Sequence, residues 1–449
     1  MIAAFHTLGC KTNSYETQAI KEQFEQAGFE IAAFSERADV YVINTCSVTA
    51  VAAQKSRQML HRAKKMNPEA LIVACGCYAQ EAAEKLAETD VDLVIGNNEK
   101  SKTLEMVQTY LKKKASASEK SSHEILLRDL THCTNYEEQS ITNAGDHVRA
   151  YVKIQDGCNR FCSYCIIPYL RGRSRSRKTE EILSEVKTLA ERGIKEIVLT
   201  GIDISDFKQE EQSGSDKQST APDHLAELIF EIEKIQGIER IRLGSLEAGI
   251  ITEEFLKQIK SSTKLCPHFH LSLQSGCDAT LKRMNRDYTA KEFMESVQMI
   301  RSCFAHPAIT TDVIAGFAGE TEEEFEETKR FVKEAFFSEM HVFPYSRRKG
   351  TRADKMPGQL TKAEKAKRAA ELIAIGNEMQ RSFMEQFIEQ EICILTEEAV
   401  LIEGQEYLLG FTPEYIKAAV PKKEAEVNKI VTISPKKIIE FNKEPILLA

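Results

Sequence analysis

Between residues 147 and 346 the chain repeats one pattern: a short β-branched, apolar run, a turn, then a stretch with apolar residues at helical spacing. The strand candidates are 148–154, 196–200, 240–245, 268–274, 311–315 and 341–344, separated by helical stretches such as 180–192, 224–234 and 322–334. Strands that alternate with helices must run parallel, joined by right-handed crossovers. Parallel strands place all their carboxyl ends on one edge, where ligands bind in such folds. Six units are too few to close an eight-stranded barrel, so the pattern predicts a partial (β/α)6, TIM-like barrel.

The same rhythm opens the chain. Residues 2–8, 40–43, 71–74 and 91–95 read as strands, with helical spacing over 14–27 and a basic helix over 51–65 that Asn67-Pro68 stops. This predicts an N-terminal doubly wound parallel α/β domain over 1–112. Residues 112–123 (KKKASASEKSSH) are polar and charged, and 124–138 show no clear period, so 113–143 reads as a linker. The barrel domain is placed at 144–376, with a solvated acidic insertion at 206–223. Residues 362–389 read as one long helix. After it 391–395, 406–411, 415–419 and 430–434 read as short strands, a small antiparallel β-barrel over 377–449 of the size that often carries RNA.

The chemistry begins just past the strand at 148–154. Cys158-Asn159-Arg160-Phe161-Cys162-Ser163-Tyr164-Cys165 places three cysteines at CxxxCxxC spacing. Three thiolates in one loop can hold three corners of an iron–sulfur cube and leave the fourth iron open. Zinc prefers four ligands, and no further Cys or His follows Cys165 closely; core packing is the remaining alternative. In the N-terminal domain Cys10, Cys46 and Cys77 each lie just past the carboxyl end of a strand candidate, so a parallel sheet would bring them together. Cys75 precedes Gly76 and reads as still within its strand. Cys77 is therefore taken as the ligand and Cys75 as core, with the choice between them open.

Twelve cysteines without a basic lead into an apolar N-terminal segment suit a reducing cytosol, hence a cytoplasmic protein. No apolar run approaches the ~20 residues of a membrane helix, so no membrane partner is expected. A net charge of −8 excludes a uniformly basic surface but not a local basic patch. Arg171, Arg173, Arg175 and Arg177, with Lys178, form such a run beside the cysteine loop. They read either as a solvated face or as phosphate contacts.

Other strand ends carry polar groups: Thr200-Gly201, then Ser245 and Glu247. His268, His270, Ser272 and Gln274 alternate along one strand and share a face, opposite Phe269, Leu271 and Leu273. That face is either a lined active site or a hydrogen-bonded polar core. Asp312, Ile314 and Gly316, with Gly319-Glu320, would close the same pocket. In the C-terminal barrel Tyr407, Phe411 and Tyr415 are stacking candidates for RNA bases or core aromatics.

The cysteine loop with βα units behind it resembles the radical S-adenosylmethionine superfamily. That resemblance implies an open iron that chelates the amino and carboxylate groups of S-adenosylmethionine, followed by release of a 5′-deoxyadenosyl radical. It also implies a cofactor pocket made by Thr200, Gly201, Ser245, Glu247, Gln274, Asp312 and Gly316, with the Thr200-Gly201 turn at the methionine amino group. The words TLGCKTN (7–13), NTCSVT (44–49) and GCYAQ (76–80) resemble the N-terminal domain of the methylthiotransferases, enzymes with two [4Fe–4S] clusters. The resemblance continues through 157–177, 271–288, 310–320 and 341–351 to a C-terminal barrel similar to a TRAM domain. It implies that Cys158, Cys162 and Cys165 hold the radical-generating cluster and Cys10, Cys46 and Cys77 a second one. Of three branches, TLGCKTN, NTCSVT and GCNRFCSYCIIPYLRG are most similar to the one acting on N6-threonylcarbamoyladenosine beside the tRNA anticodon. The others act on isopentenyladenosine in tRNA and on a ribosomal-protein aspartate. The expected partners are the tRNA anticodon loop and an electron donor such as flavodoxin or ferredoxin. The rival from another class is an iron–sulfur RNA-binding or sensor protein without turnover. Ala318 stands where the family usually has proline, and Gly244 and Ala248 alter a strand end that usually carries Ser and Pro.

Overall fold

The computed structural model of the chain describes residues 1–116, 123–145, 147–208 and 221–449. The expected solvated insertion therefore lies largely outside the described residues, as does the middle of the polar stretch at 112–123.

Six strands, β1 (Ile2–Thr7), β2 (Glu30–Ala32), β3 (Val40–Thr45), β4 (Leu71–Gly76), β5 (Leu93–Ile95) and β6 (Glu124–Leu126), form one parallel sheet in the order 2-1-3-4-5-6. Helices α1 (Lys11–Gln26) and α4 (Thr103–Ser116) cover one face, and α2 (Ala50–Met66) and α3 (Cys77–Ala87) the other. Alternation along each strand explains the double coverage. Val40, Val42, Val73 and Cys75 pack with Ile20, Phe24 and Val107, while Tyr41, Ile43, Ile72 and Ala74 pack with Leu60, Ala63 and Ala79. The order reverses between β1 and β3, the switch point beside which α/β sheets bind ligands. Two linker expectations are corrected. Residues 112–116 continue α4, and 124–126 form the edge strand β6, whose three residues are too few to show a period.

The second unit runs β7 (Arg149–Lys153), β8 (Gln155–Asp156), β9 (Arg175–Ser176), β10 (Glu196–Thr200), β11 (Arg240–Leu243), β12 (Ser245–Leu246), β13 (His268–Gln274), β14 (Ala308–Ala315) and β15 (Glu339–Pro344). The ribbon β8–β9 is antiparallel. The remaining strands form two parallel sheets, β11-β10-β7 and β12-β13-β14-β15. Only Gly244 separates β11 from β12, so one strand leaves the first sheet and enters the second. Its N–H donates to Leu199 O at 2.8 Å, and a Cβ there would lie 2.7 Å from that oxygen. The glycine that departs from the family pattern thus sits at the seam of the wall.

The wall is curved. Arg149 of β7, Arg242 of β11 and His268 of β13 all contact the ring of Tyr415, although in a flat sheet β7 and β13 would stand about 14 Å apart at ~4.8 Å per strand. Its outer face packs under helices in one apolar core that includes Val152, Leu199, Leu243, Leu271 and Val313.

Helix α5 (Lys362–Glu385) opens with a Thr361/Glu364 capping box and ends four residues short of the expected 389. The C-terminal unit has six strands rather than the four expected: β16 (Ile392–Ile402), β17 (Gln405–Phe411), β18 (Lys417–Pro421), β19 (Ile430–Ile433), β20 (Lys437–Phe441) and β21 (Glu444–Leu448). Their order is 19-16-17-18-21-20, antiparallel except between β18 and β21. The β20–β21 hairpin was not legible because its turn, Asn442-Lys443, has both residues at positive φ without the glycine that usually marks such a turn. Arg240 and Arg242 dock this unit on the wall, donating to the carbonyls of Phe411, Cys393, Pro413 and Thr412 at 2.7–3.1 Å.

Candidate active site

The CxxxCxxC loop leaves β8 through Gly157. This residue has φ +73°, and a Cβ there would fall onto the Arg173 carbonyl across the ribbon. Cys158 N–H donates to Gly172 O at 3.1 Å, and Cys165 N–H closes a turn onto Cys162 O at 3.0 Å. Segment 283–286 clamps the loop from outside. Ser163 donates to Met284 O and Arg283 O, both at 2.8 Å, and Asn285 Nδ2 reaches Arg160 O and Phe161 O. The three sulfurs lie in one another's electrostatic field. Burial pushes Cys165 up to about 12 and raises Cys158 as well, so a metal bound here must displace protons.

The N-terminal trio is assembled by close backbone approach. Gly9, at φ +103°, brings its chain so near Cys46 that a Cβ would lie 2.9 Å from Cys46 Sγ. Gly76, at φ +92°, passes against Asn44 in the same way. Asn13 Nδ2 ties the ends together by donating to Leu8 O at 2.7 Å and Thr45 O at 3.1 Å. Cys10 caps α1 and Cys77 begins α3, so both thiols sit at the positive end of a helix dipole. Burial pushes Cys46 up to about 11, with Cys77 and Cys10 both acting on it. Cys75 is fully buried on the opposite face among Ile20, Phe24 and Val107. The structure therefore gathers Cys77, not Cys75, with Cys10 and Cys46.

The two trios are neighbours. Cys77 and Cys165 share one apolar cluster with Ile166, Ile167, Leu170 and Ile202, and Cys165 lies in the field of Cys77. Asn97 Nδ2 donates to Leu170 O at 2.9 Å and approaches Cys77 Sγ at 3.6 Å.

The arginine run does not form the expected phosphate-facing stripe. Arg171 is 0% exposed and pairs with Glu16 at 3.0 Å and Asp156 at 2.9 Å, with a further bond to Asn13. Burial opposes the Glu16 charge, but Arg171, Lys100 and Lys153 together hold its carboxyl below the usual range. Arg177 is buried against Glu185 and Glu138, and Arg175 against the Asp156 carboxylate and the Arg173 carbonyl. Only Arg173 of the four is exposed, its guanidinium over the Phe161 ring. These charges tie α1 to the loop's flanks. Phe411 and Tyr415 likewise stack on each other and on Arg149, with Arg242 and His268 of the wall against Tyr415, so both rings are engaged within the protein. Tyr407 remains part-exposed.

Of the cofactor-pocket candidates, Thr200, Gly201 and Glu247 border the cysteine loop. A Cβ on Gly201 would lie 2.8 Å from Gln155 Oε1, and that oxygen accepts from Ile202 and Asp203 N–H at 2.9 Å. Ser245 is half-buried at the end of the same wall. Glu247 pairs with Arg286 and lies 3.6 Å from Arg160; burial pushes its carboxyl up to about 7 against their pull. Gln274 holds a left-handed backbone at φ +65°. Gly316, at φ +72°, packs beside Lys365 of α5, and the adjacent Phe317 ring meets Tyr164 of the loop. Asp312 stands apart, deeper on the inner face, 3.4 Å from His270 Nε2. With His341 these two bring ligand atoms within 4.8 Å of one another, close enough to hold a cation.

Sequence reading missed Arg286. Its Nη1 donates to Cys162 Sγ at 3.2 Å while Tyr288, Glu247 and Ser272 O hold the rest of the guanidinium. Nothing local marks an arginine so far along the chain as a neighbour of the loop. Lys11 was also passed over, since its side chain acts across domains.

The sequence model described as Radical SAM superfamily matches residues 152–332, and that described as Uncharacterized protein family UPF0004 matches residues 3–96. A threonylcarbamoyladenosine tRNA methylthiotransferase of Bacillus subtilis is 40% identical over 96% of this chain and 92% of its own length. The Aquifex aeolicus protein of the same description is 40% identical over 96% and 100%. A tRNA-2-methylthio-N6-dimethylallyladenosine synthase of Thermoanaerobacter pseudethanolicus is 34% identical over 83% and 77%. In fold alone, the radical S-adenosylmethionine methyltransferase TsrM from Kitasatospora setae, solved with cobalamin and a [4Fe–4S] cluster, superposes at a TM-score of 0.54, with 13% identity over 77% of this chain and 75% of its own.

Proposed function

The chain belongs to the radical S-adenosylmethionine methylthiotransferase family, and on that premise we propose that it methylthiolates C2 of N6-threonylcarbamoyladenosine at position 37 of tRNA, next to the anticodon. The observation that carries this reading is that the two cysteine trios are neighbours, with Cys77 and Cys165 in one apolar cluster. A radical enzyme needs one such trio; a second beside it suits a reaction that also delivers sulfur.

Both thiol sets fit iron–sulfur cubes: three sulfurs each, gathered by glycines and backed by Asn97 on one side and Arg286 on the other. Cys158, Cys162 and Cys165 would hold the cluster that works with S-adenosylmethionine, and Cys10, Cys46 and Cys77 the other. When bound, the first cluster with S-adenosylmethionine supplies the radical chemistry that an adenine C2–H needs, because it offers neither an acidic proton nor a leaving group. The chain's own groups position and exclude. Arg286 holds Cys162 and Glu247 in register. Glu247, poised near neutrality, and the Thr200-Gly201 turn offer an acceptor and backbone groups for the methionine amino group of the cofactor. Ile166, Ile167, Leu170 and Ile202 keep water from between the two sites. The functional units are an N-terminal one that runs through β6 to residue 126, the barrel-like wall and a TRAM-like last unit, and flavodoxin or ferredoxin is the proposed donor. For tRNA phosphates Arg173 remains, and the other three arginines are withdrawn.

Mass spectrometry of tRNA nucleosides from cells with and without this gene tests the reading. Loss of the methylthio-threonylcarbamoyl nucleoside supports it, and loss of the isopentenyl one reassigns the substrate. Anaerobically reconstituted protein is expected to bind about eight irons, and about four would remove the second cluster.

A further inference from the structure

The inner face of the curved wall changes chemistry along its length. Nearest the cysteine loop it presents Ile314 and Phe343, the latter 46% exposed. Midway it presents His270, Asp312 and His341. At the far end lie His268, Arg242 and Tyr415, with Lys11 Nζ 5.9 Å from the centre of the Tyr415 ring. On β13 and β14 the inward His270, Ser272, Asp312 and Ile314 are half-buried, whereas the outward Phe269, Leu271, Leu273 and Val313 are buried. Solvent-accessible space therefore lies along the inner face.

Several groups there await a partner. Lys11 makes no ion pair among the described residues. The cations beside it are already matched, Arg149 by Glu397 and Arg242 by Glu196. His268 is buried, with Nε2 on Thr310 and Nδ1 unpartnered. His270 Nδ1 bonds Thr310 Oγ1 at 2.9 Å, which fixes the ring and turns Nε2 toward Asp312 and the open space. Lys11 is half-buried, and burial outweighs the pull of the Tyr415 ring and of Asp312 on its charge, so a ligand carboxylate would add the counter-charge it lacks at ion-pair distance.

The related enzymes act on adenines that differ in their N6 substituent. A threonylcarbamoyl group carries a carboxylate, a hydroxyl and a ureido unit, and a dimethylallyl group carries no polar atom. If C2 faces the cysteine loop, the N6 substituent is directed away from it along the inner face. We propose that Lys11, with His270 and His341, forms the subsite for the threonylcarbamoyl group, the ammonium taking the carboxylate and the imidazoles the hydroxyl and ureido atoms. This rests on the substrate reading above and names the residues that would separate this substrate from an apolar one.

The test uses anticodon stem-loop RNAs carrying threonylcarbamoyladenine, the same base with its carboxylate converted to a carboxamide, and isopentenyladenine. Reconstituted holoenzyme is assayed with each for Kd and for methylthiolation kcat/KM. Wild-type enzyme is expected to lose about 10- to 100-fold on the carboxamide, the worth of one charge-assisted hydrogen bond. Lys11→Met should lose as much on the carboxylate RNA and no longer distinguish it from the carboxamide, while Lys11→Arg keeps the preference. His341→Ala, remote in sequence from Cys10, should weaken both RNAs alike, which separates the subsite from any disturbance of the neighbouring cysteine; iron content is measured for every variant. Equal conversion of carboxylate and carboxamide by wild type overturns the subsite and leaves the substrate reading standing. Conversion of the isopentenyl RNA alone overturns both. A requirement for added zinc that His341→Ala abolishes and Lys11→Met does not would assign the His270, Asp312 and His341 trio to a metal and overturn the proposal.

Discussion

Arg171 and Glu16 show how little a charge in sequence says about its surroundings. Four formal charges, Glu16, Lys100, Lys153 and Arg171, meet with Asp156 in a space closed to solvent. Such a group is held by mutual satisfaction, so removing one member leaves the others buried and unmatched. Glu16→Gln is expected to destabilise the protein by about 3–5 kcal/mol in urea unfolding. Arg177→Ala should likewise lower stability without changing the salt dependence of tRNA binding, whereas Arg173→Ala should reduce that slope by about one counterion. Glu247 behaves in the opposite sense to Glu16. Its carboxyl is raised from 4.5 to about 7, so the folded state holds its proton longer than the unfolded one. Folding stability should therefore fall as pH rises from about 4.5 to about 7, and Glu247→Gln should remove that part of the slope in pH-dependent thermal denaturation of the cluster-free protein.

At the scale of elements, the cysteine loop depends on a ribbon of two residues a side. Gly157 follows β8 and lies against the Gly172–Arg173 backbone just before β9, so an alanine there would collide with backbone, not with a movable side chain. Gly157→Ala is expected to displace the loop and leave about four irons per chain after reconstitution, those of the N-terminal trio; retention of about eight would show that the ribbon can yield. The βα alternation of both parallel units was legible because each strand is apolar and each helix has a buried stripe, a period set by local geometry. The elements that were not legible, β2, β6, the β8–β9 ribbon and the β20–β21 hairpin, are short and stabilised by pairing with a neighbour rather than by their own pattern.

At the scale of the molecule, two sheets from separate stretches of chain bring their carboxyl edges together so that Cys77 and Cys165 share one apolar cluster. If both trios hold clusters, their spins should interact. Electron paramagnetic resonance of the fully reduced protein is expected to show a broadened or split signal that reverts to that of an isolated cluster in the Cys10/Cys46/Cys77→Ala variant. An unbroadened wild-type signal would place the clusters too far apart for one to serve the other.

Sequence alone determined what depends on neighbours along the chain: the CxxxCxxC loop, the parallel alternation, and the three strand ends from which Cys10, Cys46 and Cys77 project. The sequence left the choice between Cys77 and Cys75 open and leaned to Cys77 only because Cys75 precedes Gly76 within its strand; the turn at Gly76, φ +92°, which ends β4 and starts α3, is what sets Cys77 beside Cys46 and Cys10. Only the tertiary structure decided which charges would be buried. Arginines with the same alternate spacing became core partners of Glu16, Asp156 and Glu185, because α1 packs across them. It also decided that Arg286 touches Cys162 and that Lys11 reaches the Tyr415 ring. Those contacts join residues far apart in sequence, and their energies exist only after the wall has curled and the outer units have docked on it.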